Sequence, residues 1–426
     1  MEQIRHDQIN ETIYYEKMEN GLDVYVLPKH GFSKSYATFT TKYGSIDNHF
    51  QIPGKDPVKV PDGIAHFLEH KMFEQEDGDV FNEFANNGAS ANAFTSFERT
   101  AYLFSSTGHV KENLTILLNF VQDPHFTDEN VEKEKGIIGQ EIKMYDDNAD
   151  WRVYFGLIEN MYHNHPVKID IAGTINSISQ ITKETLYTCY ETFYHPSNML
   201  LFVVGAVQPE EIFQLVRENQ AQKQYGSQPE IQRYFDKEPI GVATPNSVRE
   251  MSVAMPKVMF GYKEKKAGLH GKDLLQQELT TQLVLDILLG PSSDIYQKLY
   301  EQGLINDTFG TDYSCETQYA FSVIGGDTPN PEELVKQVTE GLEQAKITGI
   351  SQKDFELSKK KKIGAFLRSL NSIEFIANSF TKYKFNGTDL FQIVPTLENI
   401  TVEQANQRLK DHFQMEQRSV SMIKPV

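Results

Sequence analysis

Two histidines and a glutamate within five residues are the part of the sequence best suited to chemistry. His66, Glu69 and His70 lie in the run His-Phe-Leu-Glu-His. Residues four apart share one face of a helix, so the two imidazoles can bind one zinc ion. The carboxylate beside them can take a proton from a water molecule on the metal. The spacing therefore predicts a zinc-dependent hydrolytic site on a helix.

The order of this motif, H-x-x-E-H, is the inverse of the common H-E-x-x-H zinc protease helix. The alternative interpretation is an amphipathic helix whose histidines and glutamate are only solvated. A catalytic zinc needs three protein ligands and one open position for water. A third ligand from elsewhere in the chain would therefore decide between the two interpretations.

Candidates for the third ligand lie in the charged run 131–144, whose apolar residues recur at helical spacing. Glu134 and Glu141 are seven residues apart, and two helical turns place them on one face. Most other acids alternate with lysines, as on a solvated helix face. From the residues alone, a solvated charge is the better interpretation for Glu134. Glu141 lies between Ile138 and Ile142, near the buried side, and is the better ligand candidate.

Hydrophobic patterns around these residues predict a mixed domain. Segments 22–27 and 36–41 are rich in β-branched and aromatic residues and indicate strands, and 200–205 indicates a central strand. Helical periodicity appears at 110–120 and 186–194. Strands and helices in this order predict an α+β fold with an antiparallel-rich sheet and helices packed on one face.

A polar, glutamine-rich stretch suggests a linker, so we expect an N-terminal domain 1–225, a linker 226–245 and a C-terminal domain 246–426.

The second half of the chain faintly repeats the sequence pattern of the first half. Segment 350–355 resembles 126–131, and each opens a charged helix. Chance similarity between charged helices is the alternative. If the repeat is real, Phe366 lies near the place of Glu141, and no H-x-x-E-H follows residue 70. The second domain then has no metal site.

Several motifs together resemble one family. The H-x-x-E-H run is followed by Glu134 and Glu141, by Gly-Ala-Ser-Ala-Asn-Ala-Phe-Thr at 88–95, by His-Pro at 165–166 and by Phe-Tyr-His-Pro-Ser-Asn-Met at 193–199. This set resembles the pitrilysin-type inverzincin zinc metallopeptidases, which include insulin-degrading enzyme and mitochondrial processing peptidase. Within that family the chain is similar to the small bacterial branch of YmfH-like proteins.

The resemblance implies a division of roles at the metal. His66, His70 and Glu141 would be the ligands of one zinc ion per chain, and Glu69 would be the general base. Glu134 would be an accessory acid that supports the ligands without touching the metal. Spacing alone leaves cobalt or manganese open as the metal.

The resemblance also implies a place for the substrate. The family binds peptide along an edge strand, which segment 90–95 matches here. Its small residues let another backbone approach, so Ala91, Asn92 and Ala93 are the expected substrate-binding residues. Ordinary packing of small residues in a strand is the alternative.

One departure from the family concerns the second domain. Active relatives carry an Arg in a Ser-Ser-Arg-Leu-like segment and a Tyr soon after a Gly-Leu pair, and both polarise the substrate carbonyl. Here Asp294 stands in place of the Arg, and Ile305 or Asn306 in place of the Tyr. The resemblance then implies a heterodimer with a homologous subunit that lacks H-x-x-E-H and supplies both residues, while Tyr296 or Tyr313 is the alternative within this chain.

Two functions follow from these observations. The first is a zinc-dependent endopeptidase that cleaves unfolded or short peptides inside a closed chamber, as the catalytic subunit of a heterodimeric processing peptidase. The alternative is a non-catalytic peptide-binding or assembly subunit that keeps the peptidase fold. An unused base at Glu69 would serve no purpose in a binding module, which favours the first function.

Composition limits the other possibilities. The 426 residues carry a formal charge of -18, which argues against a nucleic-acid partner because phosphates would be repelled. The sequence has no run of 18 apolar residues, and residues 1–7 lack the apolar part of a secretory signal. The two cysteines, Cys189 and Cys315, are too few for a disulfide scaffold and suit a reducing compartment. We expect a cytoplasmic protein without a membrane span.

Overall fold

The computed structural model of the protein describes residues 1–76, 78–265 and 267–426. The chain forms two compact units, each built from three segments. Unit 1 comprises 1–143, 169–235 and 369–382. Unit 2 comprises 144–168, 236–368 and 383–426. The predicted domain boundaries, 1–225 and 246–426, refer to the linear sequence and stay a prediction.

The elements are numbered in chain order. The strands are β1 Glu2–His6, β2 Glu11–Lys17, β3 Asp23–Pro28, β4 Ser35–Thr41, β5 His49–Gln51, β6 Val58–Lys59, β7 Glu74–Gln75, β8 Gly78–Asp79, β9 Ala89–Thr95, β10 Thr100–Ser106, β11 Met199–Gly205, β12 Gln232–Arg233, β13 Asn246–Met251, β14 Lys257–Tyr262, β15 Gly310–Cys315, β16 Ala320–Asp327 and β17 Arg418–Pro425. The α-helices are α1 Ile64–Met72, α2 Val80–Asn86, α3 Val110–Val121, α4 Asp128–Asp146, α5 Ala149–Met161, α6 Ile175–Ser179, α7 Lys183–Phe193, α8 Pro209–Ala221, α9 Gly271–Leu289, α10 Asp294–Glu301, α11 Pro331–Thr348, α12 Gln352–Ser369, α13 Ile373–Phe385, α14 Ile393–Asn399 and α15 Val402–His412. Short 3-10 helices span Asp7–Ile9, Pro166–Lys168, Pro196–Asn198, Leu390–Gln392 and Met415–Gln417.

Unit 1 is built on a seven-stranded sheet in the order β1-β2-β3-β11-β4-β10-β9. Only β3 and β11 run parallel, and every other neighbouring pair in this sheet is antiparallel. The strands β3, β4 and β11 and the helices α3 and α7 lie where the hydrophobic patterns predict them. Strand β9, which contains the predicted substrate-binding residues, is at one edge of this sheet.

Unit 2 repeats this arrangement with fewer strands. Its five-stranded sheet has the order β13-β17-β14-β16-β15, and only β13 and β17 run parallel. This order matches β3-β11-β4-β10-β9 strand for strand. The helices also correspond, since α4 and α12 each follow the last sheet hairpin and one further helix. The predicted α+β fold with two similar, antiparallel-rich domains is therefore confirmed.

Each sheet has its main core on one face. In unit 1, the fully buried Val24 and Val26 of β3 belong to a core that also contains leucines of α3. The opposite face is covered by α13, since the ring of Phe380 lies 5.0 Å from Tyr25 and 4.6 Å from Phe202. Neighbouring residues of a strand point to opposite faces, which explains why Tyr25 serves the second face.

The corresponding face in unit 2 is covered by α5. The side chain of Asn160 donates to the carbonyl of Val420 on β17 at 3.1 Å. A Cβ atom at Gly156 would lie 2.7 Å from the hydroxyl oxygen of Ser421, so a larger residue there would require the Ser421 side chain to turn away. The helix from the first half of the sequence thus packs in unit 2, and α13 from the second half packs in unit 1.

The polar stretch predicted as a linker is held by specific contacts. Strand β12 pairs with β5, and the guanidinium of Arg233 donates to Asp47 at 2.8 Å. Further on, the carboxylate of Glu238 accepts three backbone hydrogen bonds from residues 163–165. Among the described residues, no helix is long and apolar enough to cross a membrane.

Candidate active site

Helix α1 presents the H-x-x-E-H motif because its other face is anchored in the core. Phe67 and Leu68 are fully buried in the core of unit 1. The residue before the helix, its N-cap Gly63, has a φ of 87°, which lies in the left-handed region. Both imidazoles then share one side of the helix, with their ring centroids 4.5 Å apart. The predicted helix for the two histidines is present.

Helix α4 supplies the carboxylates in the same way. Its buried residues include Val131, Ile138 and Ile142, which fix the helix against the core of unit 1. Glu134 and Glu141 lie two turns apart on the side that faces α1. Glu134 is buried with the core residues, whereas the side chain of Glu141 is 22% exposed.

Ligand atoms of His66, His70 and Glu141 converge. The Nε2 atoms of the two histidines each lie 3.8 Å from a different carboxylate oxygen of Glu141. One ligand atom from each residue lies within 4.8 Å of the other two. The three residues predicted as ligands are thus brought together from two helices, α1 and α4, that are distant in the chain.

This donor set fits a zinc ion. Zinc–ligand bonds of about 2.0–2.2 Å place tetrahedral ligand atoms about 3.3 Å apart, which needs only small side-chain shifts here. Two imidazole nitrogens and one carboxylate oxygen leave a fourth position open, as in catalytic zinc sites. The chemistry and spacing of the donors therefore fit a zinc ion with one open coordination position.

The outer nitrogens of the two histidines differ in their surroundings. His70 Nδ1 lies 3.1 Å from Glu134 Oε1, the kind of contact that orients a metal-binding imidazole. Burial disfavours protonation of His70, but the hydrogen bond to Glu134 and the negative charges of Glu69, Glu134 and Glu141 together outweigh burial and raise the His70 pKa. His66 Nδ1 is buried without a hydrogen-bond partner among the described residues. Burial lowers the His66 pKa to about 3, which keeps this imidazole neutral.

Glu69 is positioned by the edge strand. Glu69 is 8% exposed, and its Oε2 accepts a hydrogen bond of 2.6 Å from the hydroxyl of Thr95 at the end of β9. Burial raises the pKa of Glu69, although the bond from Thr95 works in the opposite direction. A carboxylate with a raised pKa beside a metal site is suited to accept a proton during hydrolysis.

The predicted substrate-binding residues lie on the outermost strand. Ala91 and Ala93 pack against the core, whereas Asn92 is exposed. The side-chain oxygen of Asn92 accepts a hydrogen bond of 2.9 Å from the backbone N–H of Ala93. This donor is therefore engaged, and a peptide strand that uses it must first displace the Asn92 side chain.

A cavity of about 590 Å³ lies between this strand and the metal helix. Its lining includes Glu69, His70, Asn92 and Ala93. A stacked aromatic pair with ring centroids 4.3 Å apart forms an apolar wall, made by Phe73 and Phe81. Glu69, His70 and the exposed Asn92 thus open onto the same space.

Tyr313, one of the two alternative donors within this chain, is buried and already hydrogen-bonded. Its side chain is 3% exposed, and its hydroxyl is hydrogen-bonded to Gln277, Glu264 and Arg408. Asp294 opens α10, directly after the N-cap residue Ser293. Tyr313 is therefore unsuited to the role that the sequence left open for it, while Tyr296 remains a partly exposed candidate.

Two residues of the site were missed by the sequence analysis. Thr95 ends a segment that was recognised for its small residues, but nothing in the sequence pairs it with Glu69. Lys71 follows His70 directly and is fully buried, whereas a lysine on a helix is normally expected at the surface. The hydrogen bond of Thr95 joins elements that are distant in the sequence, and the burial of Lys71 contradicts the usual exposure of lysine.

Two family models match the chain. Residues 56–175 match the Insulinase model of peptidase family M16. Residues 180–362 match the model of the peptidase M16 inactive domain. The first match contains H-x-x-E-H and Glu141, and the second covers much of the half without that motif.

Individual proteins that are similar to this chain in sequence or structure are also described as peptidases. The chain is 56% identical over 423 residues to the uncharacterized zinc protease YmfH of Bacillus subtilis. The aligned residues cover 99% of this chain and 99% of YmfH. The crystal structure of an M16-like peptidase from Alicyclobacillus acidocaldarius has a TM-score of 0.96 at 39% identity and covers 99% of this chain and 100% of its own. A protease from Helicobacter pylori shares the fold, with a TM-score of 0.82 at 20% identity over 97% of this chain and 99% of its own. The chain therefore belongs to peptidase family M16.

Proposed function

We propose that the protein is a zinc-dependent endopeptidase for unfolded or short peptides. The observation that carries the proposal is the convergence of His66, His70 and Glu141 within 4.8 Å. These residues would hold one zinc ion per chain. The name of the relative YmfH, a zinc protease, supports this choice of metal. When bound, the ion would supply a Lewis acid that acidifies water and polarises the peptide carbonyl.

In this proposal, Glu69 is the general base. Its Oε2 is held by the hydroxyl of Thr95, which leaves Oε1 to accept the proton of the attacking water molecule. Glu69 would then return the proton to the amine that leaves. Glu134 is the accessory acid, which keeps the proton of His70 on Nδ1 and directs Nε2 toward the metal position.

We further propose that peptide binds along β9. The strand is the last in its sheet and has no neighbour on one side among the described residues. An extended peptide could add to this edge beside Ala91, Asn92 and Ala93, with alternate residues of the strand hydrogen-bonding to its backbone. A peptide in this position would run beside the cavity that Glu69 and His70 line.

The missing donors support a role as the catalytic half of a heterodimer. A developing oxyanion needs donors that are already in place, and losing one typically costs about 100- to 1000-fold in rate. We propose that a homologous subunit without H-x-x-E-H supplies the Arg and Tyr in a shared chamber in the cytoplasm. The same departure at Asp294 supports a second candidate, a peptide-binding or assembly subunit without turnover.

Peptide hydrolysis distinguishes these functions. The zinc-loaded chain would be incubated with an unfolded protein substrate, alone and with a homologous subunit encoded nearby, and fragments would be identified by mass spectrometry. We expect cleavage that Glu69→Gln abolishes at unchanged zinc content, and that the added subunit increases. Full activity of the isolated chain, unchanged by the second subunit, would exclude the heterodimer. No cleavage in either case would favour the binding subunit.

A further inference from the structure

A fully buried lysine lies beside the metal site. Lys71 follows His70 on α1, and its side chain is 0% exposed. Burying an ammonium group is unfavourable unless anions compensate its charge. The structure provides two carboxylates for this purpose, Glu134 and Glu74. Lys71 contacts the same carboxylate that contacts His70, and this position suggests a role at the metal site.

The contacts of Lys71 form a chain that ends at a metal ligand. Its Nζ lies 3.5 Å from Oε2 of Glu134. The other oxygen of the same carboxylate, Oε1, lies 3.1 Å from Nδ1 of His70. Lys71 and His70 therefore hold the two oxygens of one carboxylate and fix the plane of the carboxyl group between them.

The second partner of Lys71 belongs to the cavity wall. Glu74 forms an ion pair and hydrogen bond with Lys71 and lines the cavity next to His70. Lys133 approaches Glu74 from the outside at 3.9 Å, but its side chain is 66% exposed. In water such an exposed pair contributes little, so Lys71 is the cation that matters to these carboxylates.

We propose that Lys71 is a positioning residue for the metal centre. It holds Glu134 in the orientation that directs His70 toward the metal and so raises the affinity of the site for zinc. The inference rests on the ligand set of the proposed function. It adds a third layer to that site, in which Lys71 orients Glu134 and Glu134 orients His70.

Zinc affinity, measured by competition with a chromogenic chelator, tests this role. Partners that orient metal ligands typically change affinity by about 10- to 100-fold. We expect Lys71→Met, which keeps the length and removes the charge, to weaken zinc binding by about tenfold. Lys133→Met is the matched control, because it removes an exposed cation near the same Glu74, and should leave zinc affinity unchanged.

A double-mutant cycle separates positioning from general packing. If Lys71 acts through Glu134, Lys71→Met should have no further effect on zinc affinity in a Glu134→Gln background. Lys71→Gln, a smaller polar replacement, repeats the cycle if the Met variant fails to fold. Equal losses in both backgrounds, or wild-type zinc affinity of the single variants, would overturn the proposal.

The outcome is separable from that of the proposed function. A His66→Ala, His70→Ala variant measured in parallel reports on the ligand set alone. If that variant still binds zinc like the wild type, the ligand assignment is wrong. If it loses zinc while Lys71→Met does not, only the positioning role of Lys71 is wrong.

Discussion

Two carboxylates approach His70, and they contact different nitrogens of its ring. Glu141 lies near Nε2, which points toward the metal position, whereas Glu134 lies 3.1 Å from Nδ1 on the far side. In the proposed metal site, Glu141 would therefore be a ligand and Glu134 a support for His70, because the two carboxylates meet different nitrogens of the ring. The spacing in the sequence predicts that both acids lie on one helix face. It does not show which nitrogen of His70 each acid contacts.

This difference predicts unequal effects of removing each acid. Glu141→Gln replaces an anionic ligand and should remove most bound zinc, whereas Glu134→Gln should lower zinc affinity by about 10- to 100-fold and leave the site able to fill at excess metal. Metal analysis after dialysis against graded zinc concentrations measures both. A greater loss in Glu134→Gln than in Glu141→Gln would exchange the two assignments.

Thr95 provides a second prediction for a single residue. Thr95→Val keeps the branched shape but removes the hydroxyl that donates to Glu69 Oε2. With its base less well oriented, the variant should lose about 10- to 100-fold in kcat, with KM and zinc content little changed. Thr95→Ser retains the donor and should recover most of kcat. Wild-type kcat in the valine variant would show that the hydrogen bond does not position the base.

At the level of elements, the start of α1 sets the position of the motif. Gly63 has a positive φ, and a Cβ atom there would lie 2.4 Å from the carbonyl oxygen of Ala172. Gly54 has a similar φ of 88°, but a Cβ atom there would meet nothing within 4 Å. The two glycines share a positive φ but differ in packing, so they form a matched pair.

Replacing these two glycines separates strain from steric conflict. Gly54→Ala should cost about 1–2 kcal/mol for the left-handed backbone. Gly63→Ala should cost about 1–3 kcal/mol more because of the contact with Ala172, and it should also weaken zinc binding by shifting α1. Thermal unfolding of both variants measures the difference. Equal losses of stability would contradict the role of the close contact.

The helices of the site were predictable, and the contacts that refine it were not. The spacing of His66 and His70, and of Glu134 and Glu141, follows from the geometry of a helix. The hydrogen bond from Thr95 to Glu69 depends instead on how β9 is placed against α1, which no local pattern encodes. Lys71 is a similar case, because its burial contradicts the usual exposure of lysine.

At the scale of the whole molecule, the two sheets share one strand order, and two similar charged helices in the sequence indicated this repeat. The similarity of 126–131 and 350–355 corresponds to the starts of α4 and α12, which hold equivalent places after matching sheets. The sequence did not reveal that α5 belongs to unit 2 and most of α13 to unit 1. Helix patterns report which face is apolar, but not which of two similar sheets receives that face.

Acid stability is a further property of the whole chain. Burial would raise the pKa of Glu238, but backbone N–H groups of residues 163–165 and the ammonium of Lys263 lower it to about 2. A carboxylate with a lowered folded pKa stabilises the fold above its unfolded pKa of about 4.3, and this stabilisation disappears as the pH falls toward 2.

Glu238→Gln tests this contribution. At pH 7 the variant should be less stable by about 1–3 kcal/mol, and the difference from the wild type should shrink between about pH 5 and pH 2. Denaturant unfolding at several pH values measures it. A difference that does not change over this range would show that the charge of Glu238 does not carry the effect.

Zinc content tests the central claim most directly, because the proposed chemistry depends on the ligand set. The purified chain, loaded with zinc and dialysed, should contain about one zinc ion per chain by elemental analysis. The His66→Ala, His70→Ala variant, once circular dichroism shows that it is folded, should contain almost no zinc, since two of three protein ligands are gone. Zinc content that is undiminished in this variant would contradict the assignment of the metal centre.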